Sequence, residues 1–176
     1  MGASLSRSLP LLQPPPVTNQ QVELERFVGV WYEYSRLPNS FQSAETYGRA
    51  TYTQTSATTF EILNESLDYE TELPLRRKSI TGTATAGPLN GKFKVNFHRV
   101  YIPLADYWIY YLDRAYTIAV IVSPDRKHLW VLLRSLRALE DVNTGLELLT
   151  VYNSLRKDGF DVDKIRCHRH FHGQCG

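Results

Sequence analysis

A chain of 176 residues is long enough for one domain around a single core and too short for two comfortable ones. With 22% charged residues and a formal net charge of +2, it has no electrostatic surplus that would direct it to nucleic acid, and that class of partner is set aside. No apolar run approaches the ~20 residues a membrane-spanning helix requires.

The first stretch, "MGASLSRSLPLLQPPP", is rich in Ser and Pro, and residues 1–21 read as a disordered leader. It lacks the early positive charge of a secretory signal, and Leu9-Pro10-Leu11-Leu12 is far shorter than a secretory apolar core. Met-Gly-x-x-x-Ser, with Gly2 and Ser6 in place, fits an N-myristoyl acceptor. On that reading the protein is cytoplasmic or peripheral to a membrane; secretion is the alternative.

From Gly29 to Arg134 the pattern is strand after strand. "VWYEYSR", "YGRATYTQ", "TFEILNES", "RRKSITGTATA", "KFKVNFHRV", "DYWIYYLD", "YTIAVIVS" and "HLWVLLR" are rich in β-branched and aromatic residues, separated by Gly, Pro, Asn, Ser and Asp. Short links such as Pro88-Leu89-Asn90-Gly91 and Ser123-Pro124-Asp125-Arg126 favour antiparallel hairpins. The longer "LPNSFQSAE" after the first strand could form a lid over one end.

After Arg134 the period changes. Val142, Leu146, Leu149, Tyr152 and Leu155 recur at helical spacing, with Glu140 and Asp141 in the first turn and Arg156 and Lys157 in the last, ahead of Gly159. This predicts one amphipathic helix, and "FDVDKIRCH" a final short extended segment. In the tail, residues 167–176, Cys167 and Cys175 could close a disulfide or stay as thiols. His168, His170 and His172 lie between them at a spacing that matches no structural zinc signature, so no metal and no cofactor is assigned.

Eight up-and-down strands avoid two exposed edges by closing into a barrel, with the late helix packed outside. The expected fold is therefore all-β: an eight-stranded antiparallel up-and-down barrel with one C-terminal α-helix, spanning residues 22–166. Such a barrel is either filled by side chains or open for one small ligand.

With the strands in place, Gly29-Val30-Trp31, Asp113-Arg114-Ala115-Tyr116 and Arg134 resemble the three short motifs of the lipocalin family. "WYEYSRLPNSF", "DYWIYYLD", "PDRKHLWVLLR" and "GFDVDKI" look like its branch of apolipoprotein D, bacterial lipocalins and plant temperature-induced lipocalins. The resemblance implies that Trp31 and Arg134 stack at the closed end of the barrel, above the close backbone approach of Gly29. These, with Asp113, are structural residues.

An inward Arg134 implies inward Leu132 and Trp130, because strand side chains alternate faces. The family's pocket positions direct Tyr52, Asn64, Phe97 and Tyr107 inward; Ile109 and Tyr111 follow Tyr107 by alternation. Trp108 and Tyr110 then face out, as an apolar patch suited to a homodimer or a bilayer surface. The implied function is to carry or scavenge a small hydrophobic ligand, such as a fatty acid, lysophospholipid or sterol. The alternatives are a lipid-modifying enzyme and a membrane-surface module. Both cysteines follow the barrel strands, which leaves Glu33, inward by the parity of Trp31, as the candidate acid or base.

Overall fold

A computed structural model describes residues 17–18, 21–68, 76–98 and 103–167. All eight expected strands are present: β1 (Gly29–Arg36), β2 (Thr46–Gln54), β3 (Thr59–Asp68), β4 (Arg76–Ala86), β5 (Lys92–Phe97), β6 (Ala105–Leu112), β7 (Ile118–Val122) and β8 (Leu129–Leu133). Each pairs antiparallel with the next, and β1 pairs with both β8 and β2, so the sheet closes on itself. Closure removes the two free edges that an open sheet would leave. The turns carry the left-handed backbone that tight hairpins need, at Gly91 (φ 73°) and Arg126 (φ 62°).

Two elements frame the barrel: a helix that was not expected, and a short strand at the end of the segment "FDVDKIRCH" that was expected to be extended. A short helix, α1 (Leu24–Phe27), buries Leu24 and Phe27 against the closed end. At the other end β9 (Arg166–Cys167) pairs with Ser35 and Arg36, adding a short ninth strand beside the end of β1. Cys167 in this strand is disulfide-bonded; Cys175 and the tail histidines lie outside the described residues, as do Gly2 and Ser6. Among the described residues no three His, Cys, Asp or Glu side chains cluster to hold a metal, and no helix is long and apolar enough to cross a membrane.

The helix α2 (Val142–Lys157) forms where the period changes, capped by the Asp141 side chain, which accepts from the Asn143 amide. Its buried face differs from the expected one in part: Leu155 is buried and Tyr152 packs against the same cluster, as expected. Leu148, Val151 and Leu155 are buried, whereas Val142, Leu146 and Leu149 are 75%, 59% and 49% exposed. Both stripes have helical spacing, and the choice between them was made by the outer wall of the barrel. There Tyr34, Val120, Val131 and Leu133 form an apolar surface that the first stripe covers. This explains why β7 is buried at all five positions: one face looks into the barrel and the other lies in the apolar cluster shared with α2.

Two β-bulges reset the alternation of side chains. In β6 the register slips between Ile109 and Tyr111, so Ile109 faces the barrel interior while Tyr111 joins the outer cluster. The expectation that Tyr111 lines the interior is thereby corrected: one extra residue turns every later side chain to the opposite face. The Tyr111 hydroxyl instead donates to the Glu147 carboxylate on α2. A second bulge in β1, between Glu33 and Ser35, puts Ser35 on the outside against Tyr152 and returns Arg36 to the interior side opposite Trp130.

Trp108 and Tyr110 do face outward, but they form no open apolar patch. Tyr110 is 9% exposed, packs edge-on against Phe160 and donates to the Asp158 carboxylate at 2.7 Å. Trp108 is half-buried under the Lys92 ammonium, 3.7 Å from its ring centroid.

Candidate functional site

The closed end is built around one arginine. The Arg134 guanidinium lies 3.9 Å from the Trp31 ring centroid. It donates to the carbonyls of Val30 (3.1 Å), Arg26 (2.6 Å), Phe27 (2.9 Å) and Tyr116 (3.1 Å). The Trp31 indole N–H donates to the same Phe27 carbonyl at 2.8 Å. Gly29 has φ 103°, and a Cβ there would stand 3.0 Å from Arg134 Nη1. A side chain at this position would meet the guanidinium as well as the backbone penalty. Asp113 secures the neighbouring β6–β7 turn by accepting from the amides of Ala115, Thr117 and Ile118.

Above this plug lies an aromatic floor. Phe27, Tyr52, Phe60 and Phe93 pack in sequence, stacked, then tilted, then edge-on, at centroid separations of 5.6, 5.3 and 5.2 Å. Tyr107 stands edge-on to Tyr52 at 6.2 Å, and the two hydroxyls lie 2.9 Å apart. Desolvation is the chief cause that pushes both phenols up, Tyr52 to about 12 and Tyr107 well above its ordinary value, so both are neutral across the physiological range.

Higher in the barrel the packing opens. Asn64 and Ile80, paired across β3 and β4, share the inner face with Phe60 and Ile62 by alternation. With Phe97, Tyr107 and Trp130 they keep accessible surface although they point towards the axis. Leu132 is buried beside them. Inward-facing Gly48, Ala50, Gly82, Ala84 and Ala119 keep the walls thin, and Phe97 leans over Gly82, whose absent Cβ would stand 3.0 Å from its ring. An apolar floor beneath partly accessible aromatic and amide side chains is the form of a site for an amphipathic molecule.

The mouth is spanned by the segment 37–45, held by a buried ion pair. Glu33 and Arg36 are each 4% exposed and bonded to one another. The Gln42 amide donates to Glu33 at 2.9 Å, while Arg36 donates to the carbonyls of Ser43 and Thr46. Gln42 in turn accepts from Asn39 and from the Trp130 indole N–H, both at 2.9 Å. The carboxylate sits where Gly48 leaves room: a Cβ there would be 2.5 Å from Glu33 Oε2. Burial raises the Glu33 carboxyl above its usual range, against the opposing pull of Arg36, Gln42 and the Gly48 amide. Phe41, half exposed, leans on His128 and Trp130 at 5.5 and 6.1 Å.

Sequence reasoning thus oriented Tyr52, Asn64, Phe97, Tyr107, Trp130 and Leu132 as the structure does, and misplaced Tyr111. It did not find Arg36, Phe41, Gln42 or His128 at the mouth. These meet through long-range folding, and the length of "LPNSFQSAE" was the one available signal.

A family model described as a lipocalin-like domain matches residues 22–170. The temperature-induced lipocalin-1 of Arabidopsis thaliana is 32% identical over 153 residues, covering 82% of this chain and 77% of that protein. The outer membrane lipoprotein Blc of Escherichia coli is 29% identical over 145 residues, covering 81% and 76%. Among solved structures, insecticyanin from the tobacco hornworm Manduca sexta superposes with a TM-score of 0.65 at 18% identity, covering 96% of this chain and 89% of that one. That last likeness is one of fold alone.

Proposed function

We propose that this chain, which belongs to the lipocalin family, binds and carries or scavenges one small hydrophobic ligand inside its barrel. One observation carries the reading: Asn64, Ile80, Phe97, Tyr107 and Trp130 face the axis yet keep accessible surface above a packed aromatic floor. A barrel plugged to its mouth would bury them. Each methylene moved from water into this space is worth ~0.8 kcal/mol, so an acyl chain of about fourteen methylenes gains roughly 11 kcal/mol before ordering and association costs are subtracted. A fatty acid, lysophospholipid or sterol has the required size and character.

Catalysis is the weaker reading. Glu33, the carboxylate offered as an acid or base, is held by Arg36, Gln42 and the Gly48 amide, and its role is to fasten the mouth segment. The experiment is extraction of the natively purified protein into organic solvent followed by mass spectrometry. One amphipathic species near equimolar with protein supports the reading; protein that is lipid-free as isolated and takes up no fatty acid, lysophospholipid or sterol when offered refutes it.

For location, the outer membrane lipoprotein among the relatives fits a membrane-facing protein better than a free cytoplasmic one. Acylation at Gly2 would supply marginal, reversible membrane attachment. Intact-mass analysis from the native cell tests it; an unmodified or cleaved N-terminus rejects it.

A further inference from the structure

The two hydroxyls at the barrel floor hold one more proton than they can use between them. Tyr52 Oη and Tyr107 Oη are 2.9 Å apart, and each phenol carries a single O–H. One donates to the other, and the second proton then has no acceptor, since neither hydroxyl has another partner among the described residues. The rings cannot swing to find one. Tyr52 is held between Phe27 and Phe60, and Tyr107 stands edge-on to Tyr52, Phe60 and Phe93. Tyr107 is half-buried and packs on the inner-face cluster, so the spare donor lies on the barrel's interior side, where a ligand would enter.

We propose that the Tyr52–Tyr107 pair is a deep anchor for a neutral oxygen, a carbonyl or hydroxyl carried on the end of the ligand that enters the barrel first. This rests on the barrel being the ligand site, as proposed above. A buried water is a poor substitute, because it needs two to four polar partners and the surroundings here are aromatic rings. A carboxylate is also a poor fit. The nearest cation, Arg134, already directs its N–H groups at four backbone carbonyls, and one neutral donor does not offset the desolvation of an anion. The pair therefore selects for oxygenated, uncharged ends such as a ketone or an alcohol. An acid would have to bind with its carboxylate at the mouth.

The test uses the full chain and its Tyr52→Phe/Tyr107→Phe double variant, which removes both hydroxyls and keeps both rings. The neutral, oxygen-free fluorophore N-phenyl-1-naphthylamine is displaced by 2-nonanone, 1-nonanol, nonanoate and nonane, each ligand being compared between the two proteins. The double variant is expected to weaken 2-nonanone and 1-nonanol about tenfold and to leave nonane, nonanoate and the fluorophore within about twofold. Equal loss for nonane, equal loss for nonanoate, or no loss for the ketone would each overturn the proposal. A wild type that binds none of the five compounds overturns the barrel reading itself, which is a separate failure. Should the double variant not fold, the carbonyl stretch of 2-nonanone bound to the wild type decides: a shift to the hydrogen-bonded frequency is expected, and an unshifted band refutes the anchor.

Discussion

Arg134 lies 3.9 Å from the Trp31 ring centroid and at the same time ties together four backbone carbonyls from α1, β1 and the β6–β7 turn. The pair is a plug that joins the first strand to the chain following the last, so its loss should be felt as stability. Arg134→Lys keeps the charge but not the planar fork, and is expected to cost about 2 kcal/mol in urea unfolding. A cost below about 0.5 kcal/mol would mean that the carbonyls are satisfied equally well by water.

Gly29→Ala should be costly for a two-atom reason: a φ of 103° and a Cβ 3.0 Å from the Arg134 guanidinium. About 1–2 kcal/mol of destabilisation is expected. In an Arg134→Ala background the contact part of that penalty should shrink, leaving the backbone part, and a double-mutant cycle measures the difference.

The mouth ion pair makes opposite predictions for stability and for exchange. Glu33→Ala leaves Arg36 charged, buried and without its carboxylate, and about 3 kcal/mol or more should be lost. Gln42→Ala removes the amide that links Glu33, Asn39 and Trp130 but leaves the ion pair. It should change stability by less than about 1 kcal/mol while speeding ligand release roughly tenfold. Stopped-flow dissociation of a fluorescent fatty acid reads the rate; an unchanged rate would show that the segment 37–45 does not gate the barrel.

Burial of Tyr52 predicts an alkaline weakness. Its folded value of about 12 lies above the 10.0 of an exposed phenol, so above pH 10 the unfolded chain gives up this proton first. Stability from this group is complete below pH 10 and is lost as pH rises towards 12. Tyr52→Phe should therefore flatten the fall in urea midpoint between pH 9 and pH 11.5 by the equivalent of about 2 kcal/mol. The same slope in wild type and variant would place the ionising groups elsewhere.

The strand parity was legible wherever the alternation ran unbroken, as from Arg134 back through Leu132 to Trp130 and from Tyr107 to Ile109. It failed at Tyr111 because a bulge is one unpaired residue, and in the run Ile109-Tyr110-Tyr111 every member suits either face. The helix illustrates a different limit. Val142, Leu146 and Leu149 run on to Tyr152 and Leu155 at the same helical spacing that links Leu148 and Val151 to Leu155, and periodicity alone cannot say which of the two runs meets the barrel wall. The mouth was least legible, since Glu33, Gln42 and Trp130 come together only once β1 and β8 are paired.

Truncation of the helix leucines checks that correction directly. Leu148→Ala should cost about 2–4 kcal/mol, whereas Leu146→Ala and Leu149→Ala should each stay within about 0.5 kcal/mol. Similar costs for all three would show that the exposed stripe is covered in solution.

The most direct test of a ligand inside the barrel is tryptophan emission. Trp31 is sealed in the plug and Trp108 is outside under Lys92, so Trp130, on the inner face beside Arg36, is the indole placed to sense an occupant. Titration with a fatty acid or retinoid should change the wild-type emission, and Trp130→Phe should abolish most of that change while the fold survives. A change that persists in Trp130→Phe and disappears in Trp108→Phe would put the ligand on the outer face of the sheet and contradict the barrel site.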